Sequence, residues 1–369
     1  MKIHVVSFQV PYPADYGGAI DVFNKLKAMK EIGYETTLHT YAYNGRGEEP
    51  ILDELCEKVF YYPRHTGWKQ QFSTLPYIVR TRDCRALLDN LCQDDSPILF
   101  EGIHTCFFLN HPRLANRRKI VRMHNIEHEY YGRLAEQSPC NWRSLFYRVE
   151  SWRLKHFENR LCKAQLVCAI TKADKQQLEH RLKNVEVIHL PCFFDTTFPE
   201  RTGNTEPYVL YHGNLAVEEN QRVMQYIVRH IAPLCSTTQF IIAGRNPICG
   251  MKLPDNVKIV GNPTDEQLDI LLQRARIHLL LTFQPTGIKL KLLNALVRGQ
   301  GHIIANHDML YGHSLGRLCI RADEATDIAQ KIQMLISQPL DVEKLKEREQ
   351  IILKMKKAGI SRLSLLNRY

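Results

Sequence analysis

At 369 residues, with 44% hydrophobic and 24% charged side chains, the chain is long enough for two cores of ordinary size and too mixed for a disordered, collagen-like or repeat protein. Lysine and arginine outnumber aspartate and glutamate 49 to 39, which draws anions, whether nucleotide phosphates, anionic lipid headgroups or nucleic acid, to the surface without choosing among them. No stretch reaches the roughly 18 apolar residues of a membrane span, the opening residues lack a signal-peptide core and cleavage site, and the cysteines are scattered without a C-x-x-C. A cytoplasmic protein with reduced, structural thiols is the expectation.

In chain order, residues 2–9 form a β-rich apolar run, followed by a turn segment ending in Gly17-Gly18. An amphipathic helix with Ile20, Phe23, Leu26 and Met29 on its apolar side follows, stopping at Gly33, and a new strand begins at once over 35–41. Strand, turn, helix and strand within about forty residues is the βαβ unit of a parallel sheet. Short buried runs at 98–100, 119–123, 165–170 and 185–190 extend that sheet. After a polar, turn-rich stretch over 196–207 the alternation restarts: strands at 208–211, 239–243, 257–260, 278–281 and 302–305, with a helix of about four turns from Asn220. The predicted class is α/β, as two Rossmann-like, doubly wound parallel-sheet domains, 1–195 and 196–345, facing a central cleft. Ligands of such sheets bind beyond the carboxyl ends of the strands, so site residues should follow strands.

Several residues sit there. Gly17 and Gly18 close the first strand-to-helix turn, where missing side chains let backbone N–H groups approach a phosphate or sugar, although the spacing is not the G-x-G-x-x-G of dinucleotide binders. The bland reading is a tight turn. His124 follows the strand at 119–123 and could donate to a sugar hydroxyl; the alternative is a hydrogen-bonded loop histidine. His124 to His128 also match the zinc pattern H-x-x-E-H, but that pattern needs both histidines on one helix, and a strand ends at this point. Arg245 follows the strand at 239–243 and suits a diphosphate, or is a plain surface arginine. Thr286, Gly287, Ile288 and Lys289 precede a helix over 290–297 and follow a strand, so loop amides, helix end and amine can converge on a diphosphate. Between 141 and 160, Arg143, Arg148, Arg153, Lys155 and Arg160 alternate with Trp142, Phe146, Trp152 and Phe157, either a helix at a membrane surface or an ordinary one packed on the sheet. No nucleophile elbow, Walker A loop or catalytic aspartate pair is found.

Five motifs in order resemble the retaining glycosyltransferases of family 4, the group 1 branch of the GT-B fold: the segment ending Gly17-Gly18-Ala-Ile, His124-Asn125-Ile-Glu, Tyr211-His-Gly213-Asn214-Leu, Ala243-Gly244-Arg245, and Thr286-Gly-Ile-Lys289-Leu-Lys-Leu-Leu. The resemblance covers essentially the whole chain. It implies transfer of a sugar, with retention, from a nucleotide diphosphate sugar held by the second domain to a glycan or lipid-linked acceptor held by the first, in cell-surface polysaccharide or glycoconjugate biosynthesis. It further implies His124, Arg245 and Lys289 as catalytic groups, and Gly17, Gly18, Gly213, Asn214, Thr286, Gly287, Ile288 and Asn294 around the donor. The nucleotide sugar is then the co-substrate, with no metal, no other cofactor and no nucleic acid, and a C-terminal helix over about 345–369 crosses back to the first domain. Two departures stand out. Asn294 occupies the place of the family's ribose-binding glutamate, and the lysine usual after the Gly213 loop is missing, where the chain reads Val217-Glu218-Glu219-Asn220. These departures leave a non-catalytic GT-B protein that binds a nucleotide sugar or a partner enzyme as the alternative.

Overall fold

The computed structural model describes residues 1–246, 252–284, 289–312 and 315–366. It divides into two compact units: Met1–Asp195 together with the chain from Lys356 on, and Thr196–Met355. The helix Val342–Leu365 starts in the second unit and ends in the first.

The first unit holds seven parallel strands: β1 (Lys2–Ser7), β2 (Glu35–Ala42), β3 (Lys58–Pro63), β4 (Ile98–Glu101), β5 (Lys119–Met123), β6 (Leu166–Ala169) and β7 (Glu186–His189). Their order is β3-β2-β1-β4-β5-β6-β7, so the chain reverses direction across the sheet between β1 and β4. β4, β5 and β6 are buried along their whole length, as strands covered on both faces should be. β3 lies beyond the runs legible in the sequence and ends on Pro63 at the sheet edge, where a missing N–H costs nothing.

The second unit holds β8 (Glu206–His212), β9 (Gln239–Gly244), β10 (Val257–Gly261), β11 (Ala275–Leu280), β12 (His302–Ala305) and the two-residue β13 (Ile320–Arg321). Their order is β10-β9-β8-β11-β12-β13, with the reversal between β8 and β11. Each unit is thus a Rossmann-like, doubly wound α/β layer with a switch point where two neighbouring loops leave in opposite directions. The helix expected to run four turns from Asn220 instead spans Glu218–Tyr226 and continues as a π turn, Ile227–Ile231, before Pro233 ends it by removing a backbone donor. Each of the ten described cysteines is free, and among the described residues no helix is long and apolar enough to cross a membrane.

Candidate functional site

In the first unit the switch point between β1 and β4 is built on a buried charge network. The helix Gly17–Glu31 turns Asp21 and Lys25 toward the sheet together with Val22, Leu26 and Met29, while Ile20 is only half-buried. Lys25 Nζ lies 2.6 Å from Glu101 Oε1 and 3.6 Å from Asp21 Oδ2. Arg122 on β5 donates to Asp21 Oδ2 and to the carbonyl of Pro191 at 2.8 Å. His124 Nε2 is 2.8 Å from Glu101 Oε2. The four other members of this network, Asp21, Lys25, Glu101 and Arg122, are fully buried. Burial opposes the charge of Asp21 and Glu101, but Arg122, Lys25 and His124 together outweigh it and hold both carboxyls below the usual range. Ligand atoms of Asp21, Glu101 and His124 fall within 4.8 Å of one another, yet Lys25 and Arg122 already neutralise the two carboxylates, so the group is an ion-pair network rather than an open chelate.

Glu101 therefore does for His124 what a carboxylate does for any oriented imidazole: it fixes Nε2 as the bonded nitrogen, and Nδ1 meets no hydrogen-bond partner among the described residues. His128, the other histidine of the zinc-like pattern, turns elsewhere, with Nδ1 at 2.8 Å from Glu158 Oε2. Phe8, just past β1, links the two sequence-derived features of this unit. Its ring stands edge-on to His124 at 5.3 Å between centroids, and a Cβ added at Gly18 would come within 2.4 Å of it. A side chain at Gly18 would thus displace the Phe8 ring, while Gly17 opens the helix.

In the second unit the switch point lies between β8 and β11. Gly213 follows β8, and a Cβ there would meet Lys291 Cε at 2.9 Å. Lys291, in the first turn of the helix Leu290–Arg298, donates to Tyr211 Oη at 2.9 Å and to Asn220 Oδ1 at 2.5 Å, with its amine 4.7 Å from the Tyr211 ring centroid. Desolvation, reinforced by Lys289 and opposed by Glu219, lowers its pKa to about 8. Lys289 is buried and donates to the carbonyl of Gln284. Glu219, bonded by the Thr282 hydroxyl after β11, stands within electrostatic reach of both lysines; burial pushes its carboxyl up. Two amines, one carboxylate and a bare glycine backbone thus gather where the α/β architecture places ligands.

The other sequence-derived residues are distributed around this point. Asn214 spends its side chain on the Ala216 amide at 3.0 Å, and its carbonyl accepts from Asn220 Nδ2 at 2.7 Å. Arg245 is exposed, and its carbonyl ties down Leu215 N at 2.8 Å. Asn294 is exposed on the helix Leu290–Arg298. Thr286, Gly287 and Ile288 lie outside the described residues. Sequence reasoning passed over Lys291, Glu219, Phe8, Asp21, Lys25, Glu101 and Arg122; the doubled lysine spacing of Lys289 and Lys291 in one motif was the available signal for the first. Gly244 approaches the Gly213 loop so closely that a Cβ would sit 1.9 Å from the Gly213 carbonyl oxygen. Gly244→Ala is therefore expected to cost this unit about 1–3 kcal/mol, seen as a lowered unfolding transition in calorimetry; an unmoved transition would show that the two loops separate freely.

No protein-family model matches the chain. A Klebsiella pneumoniae protein of 44.6 kDa from the cps region, itself uncharacterized, is 23% identical over 320 residues, 80% of each chain. Solved structures similar over nearly the whole length include TarM (TM-score 0.71, 12% identity, 99% of this chain and 98% of that one). Sucrose-phosphate synthase from Thermosynechococcus elongatus follows with TM-score 0.69, 15% identity and coverage of 100% and 98%. The E. coli trehalose-6-phosphate protein bound with UDP-2-fluoro glucose gives 0.64, 10%, 100% and 99%. At these identities the likeness establishes the fold: the two Rossmann-like units are those of the GT-B glycosyltransferases.

Proposed function

We propose that this chain is a glycosyltransferase that moves a sugar from a nucleotide diphosphate sugar to a glycan or lipid-linked acceptor, acting in the cytoplasm in the assembly of a surface polysaccharide. The observation that carries the reading is the Lys291 amine beside the bare backbone of Gly213, with Lys289 within electrostatic reach of it, at the switch point of a GT-B second unit. A diphosphate needs hydrogen-bond donors and positive charge, and the amines of Lys291 and Lys289 would supply both at this point. Lys291 takes over the charge that the resemblance leaves missing after Gly213, and Arg245 adds a guanidinium from the end of β9. With cations of the chain stabilising the leaving diphosphate, no divalent metal is required. The first unit would hold the acceptor, with His124, oriented by Glu101, beside the transferred sugar and Gly17-Gly18 opening the neighbouring helix. Retention of configuration and membership of family 4 are part of this reading. Support comes also from the cps-region relative and from the nucleotide sugar named for the E. coli structure.

Calorimetric titration with UDP, GDP, ADP and CMP and their sugar conjugates, with EDTA present, tests it. One nucleotide diphosphate should bind, and Lys291→Met should weaken it about ten- to a hundredfold, the worth of a charge-assisted hydrogen bond. Because the free amine titrates near 8, binding should also weaken as pH rises above that value. A folded protein that binds none of these ligands would sink the donor reading. A second reading, donor binding without turnover, is favoured by Val217-Glu218-Glu219-Asn220 in the region of the missing lysine and by the exposed Asn294; tight binding with no release of nucleotide diphosphate under any acceptor mixture would establish it.

A further inference from the structure

All three tryptophans of the chain, Trp68, Trp142 and Trp152, are exposed, by 69%, 86% and 61%. On the helix Trp142–Phe157 the exposed stripe continues through Leu145 and Val149, at the spacing of one helix face, while Ser144, Glu150, Leu154 and Phe157 form the buried face. A second segment, the turn Trp68–Phe72, presents Trp68 and an 80% exposed Phe72. Arg153 joins the two, donating to the Gln71 carbonyl at 3.0 Å. The apolar stripe is flanked by exposed Arg148 and Lys155, and Trp68 by exposed Lys69. The only acid of the helix, Glu150, is buried and occupied by Arg153 and the Tyr77 amide.

We infer that this face docks on a lipid bilayer carrying anionic headgroups. Aromatic side chains with a polar edge suit the headgroup boundary, and a rim of lysine and arginine without acids suits a negative surface. A second copy of the chain is a poor occupant, because an isologous contact would set these cations against one another. The inference does not depend on the transferase reading: it concerns the first unit's surface and needs no donor.

The tryptophans make the test direct, since emission reports on this surface alone. Full-length protein mixed with vesicles of phosphatidylcholine plus phosphatidylglycerol should co-sediment and shift its emission to the blue, and added salt should reverse both. Arg148→Gln with Lys155→Gln, exposed positions that leave the fold untouched, should weaken partitioning about thirtyfold; Trp142→Ser should weaken it with no change in melting temperature. Absence of sedimentation and of a blue shift would overturn the inference, as would equal binding to vesicles of phosphatidylcholine alone. So would a blue shift without vesicles that grows with protein concentration alongside a dimer in analytical ultracentrifugation.

Discussion

Arg122→Met is expected to lower the stability of the first unit by about 3–5 kcal/mol, among the largest effects any single change in this chain should produce. The guanidinium is fully buried and is shared between Asp21, Glu101 at 3.8 Å, and the carbonyls of Leu190 and Pro191, with its carbon 5.7 Å from the Phe193 ring centroid. Methionine replaces the stem but leaves two carboxylates facing one lysine in a place water does not reach. The cost is that of uncompensated buried charge rather than the worth of the contacts themselves. A second variant separates these: Arg122→Met with Asp21→Leu removes one cation and one anion together, and should recover a good part of the loss even though the Phe193 amide gives up its 2.6 Å bond to Asp21. Urea denaturation followed by a probe of the first unit measures both. If the double variant were as unstable as the sum of the singles, the network would not be electrostatically coupled. The functional consequence runs through His124, whose orientation depends on a Glu101 carboxylate that Arg122 and Lys25 keep ionised.

The switch points were largely legible in the sequence because strands covered on both faces leave uninterrupted apolar runs, and glycines after them mark close approaches. The charge network was not, because Asp21 and Lys25 sit on a helix whose apolar residues define its inner face, and polar residues one position away are read as outward-facing. Only the placement of Glu101 and Arg122 on neighbouring strands shows that the inner face is polar at that level. β11 illustrates the same difficulty on a smaller scale. It begins at Ala275, three residues before the predicted strand at 278–281, and so takes in Arg276. In the fold that guanidinium is satisfied by the carbonyls of Thr205, at 2.7 Å, and Ile336, at 3.1 Å. Lys291 was hidden for a related reason. In sequence it is one of two lysines before an apolar helix; only the close packing against Gly213 and Tyr211 distinguishes its role from that of its neighbour.

Acid is expected to destabilise this protein once pH falls below about 6.5, because buried histidines, His39, His212 and His278 among them, resist protonation. Burial, assisted by His4, lowers the pKa of His39 to about 3; burial, assisted by Lys291, does the same for His212; and burial beside His212 drives His278 far below its ordinary value. In the unfolded chain all three titrate near 6.5. Above that pH neither state binds the proton and the histidines contribute nothing to the pH dependence. Below it the unfolded chain takes up protons that the folded chain refuses, so stability falls as pH drops, by roughly 1.4 kcal/mol per pH unit for each histidine that stays neutral in the fold. Glu127 has the opposite sign: burial raises its carboxyl to about 7, so it gains a proton on folding and offsets one histidine, but only until pH falls to its unfolded value near 4.5. The effect is spread over both units, since His39 lies on β2 and the other two on β8 and β11. His278 is the residue to change, because neither ring nitrogen meets a hydrogen-bond partner among the described residues. His278→Leu fills a similar volume without an orphaned polar group, so it should leave stability at pH 7.5 equal or higher and reduce the slope for the second unit by about 1.4 kcal/mol per pH unit. Denaturation curves at several pH values read that slope, and an unchanged slope would mean that His278 binds its proton in the folded state.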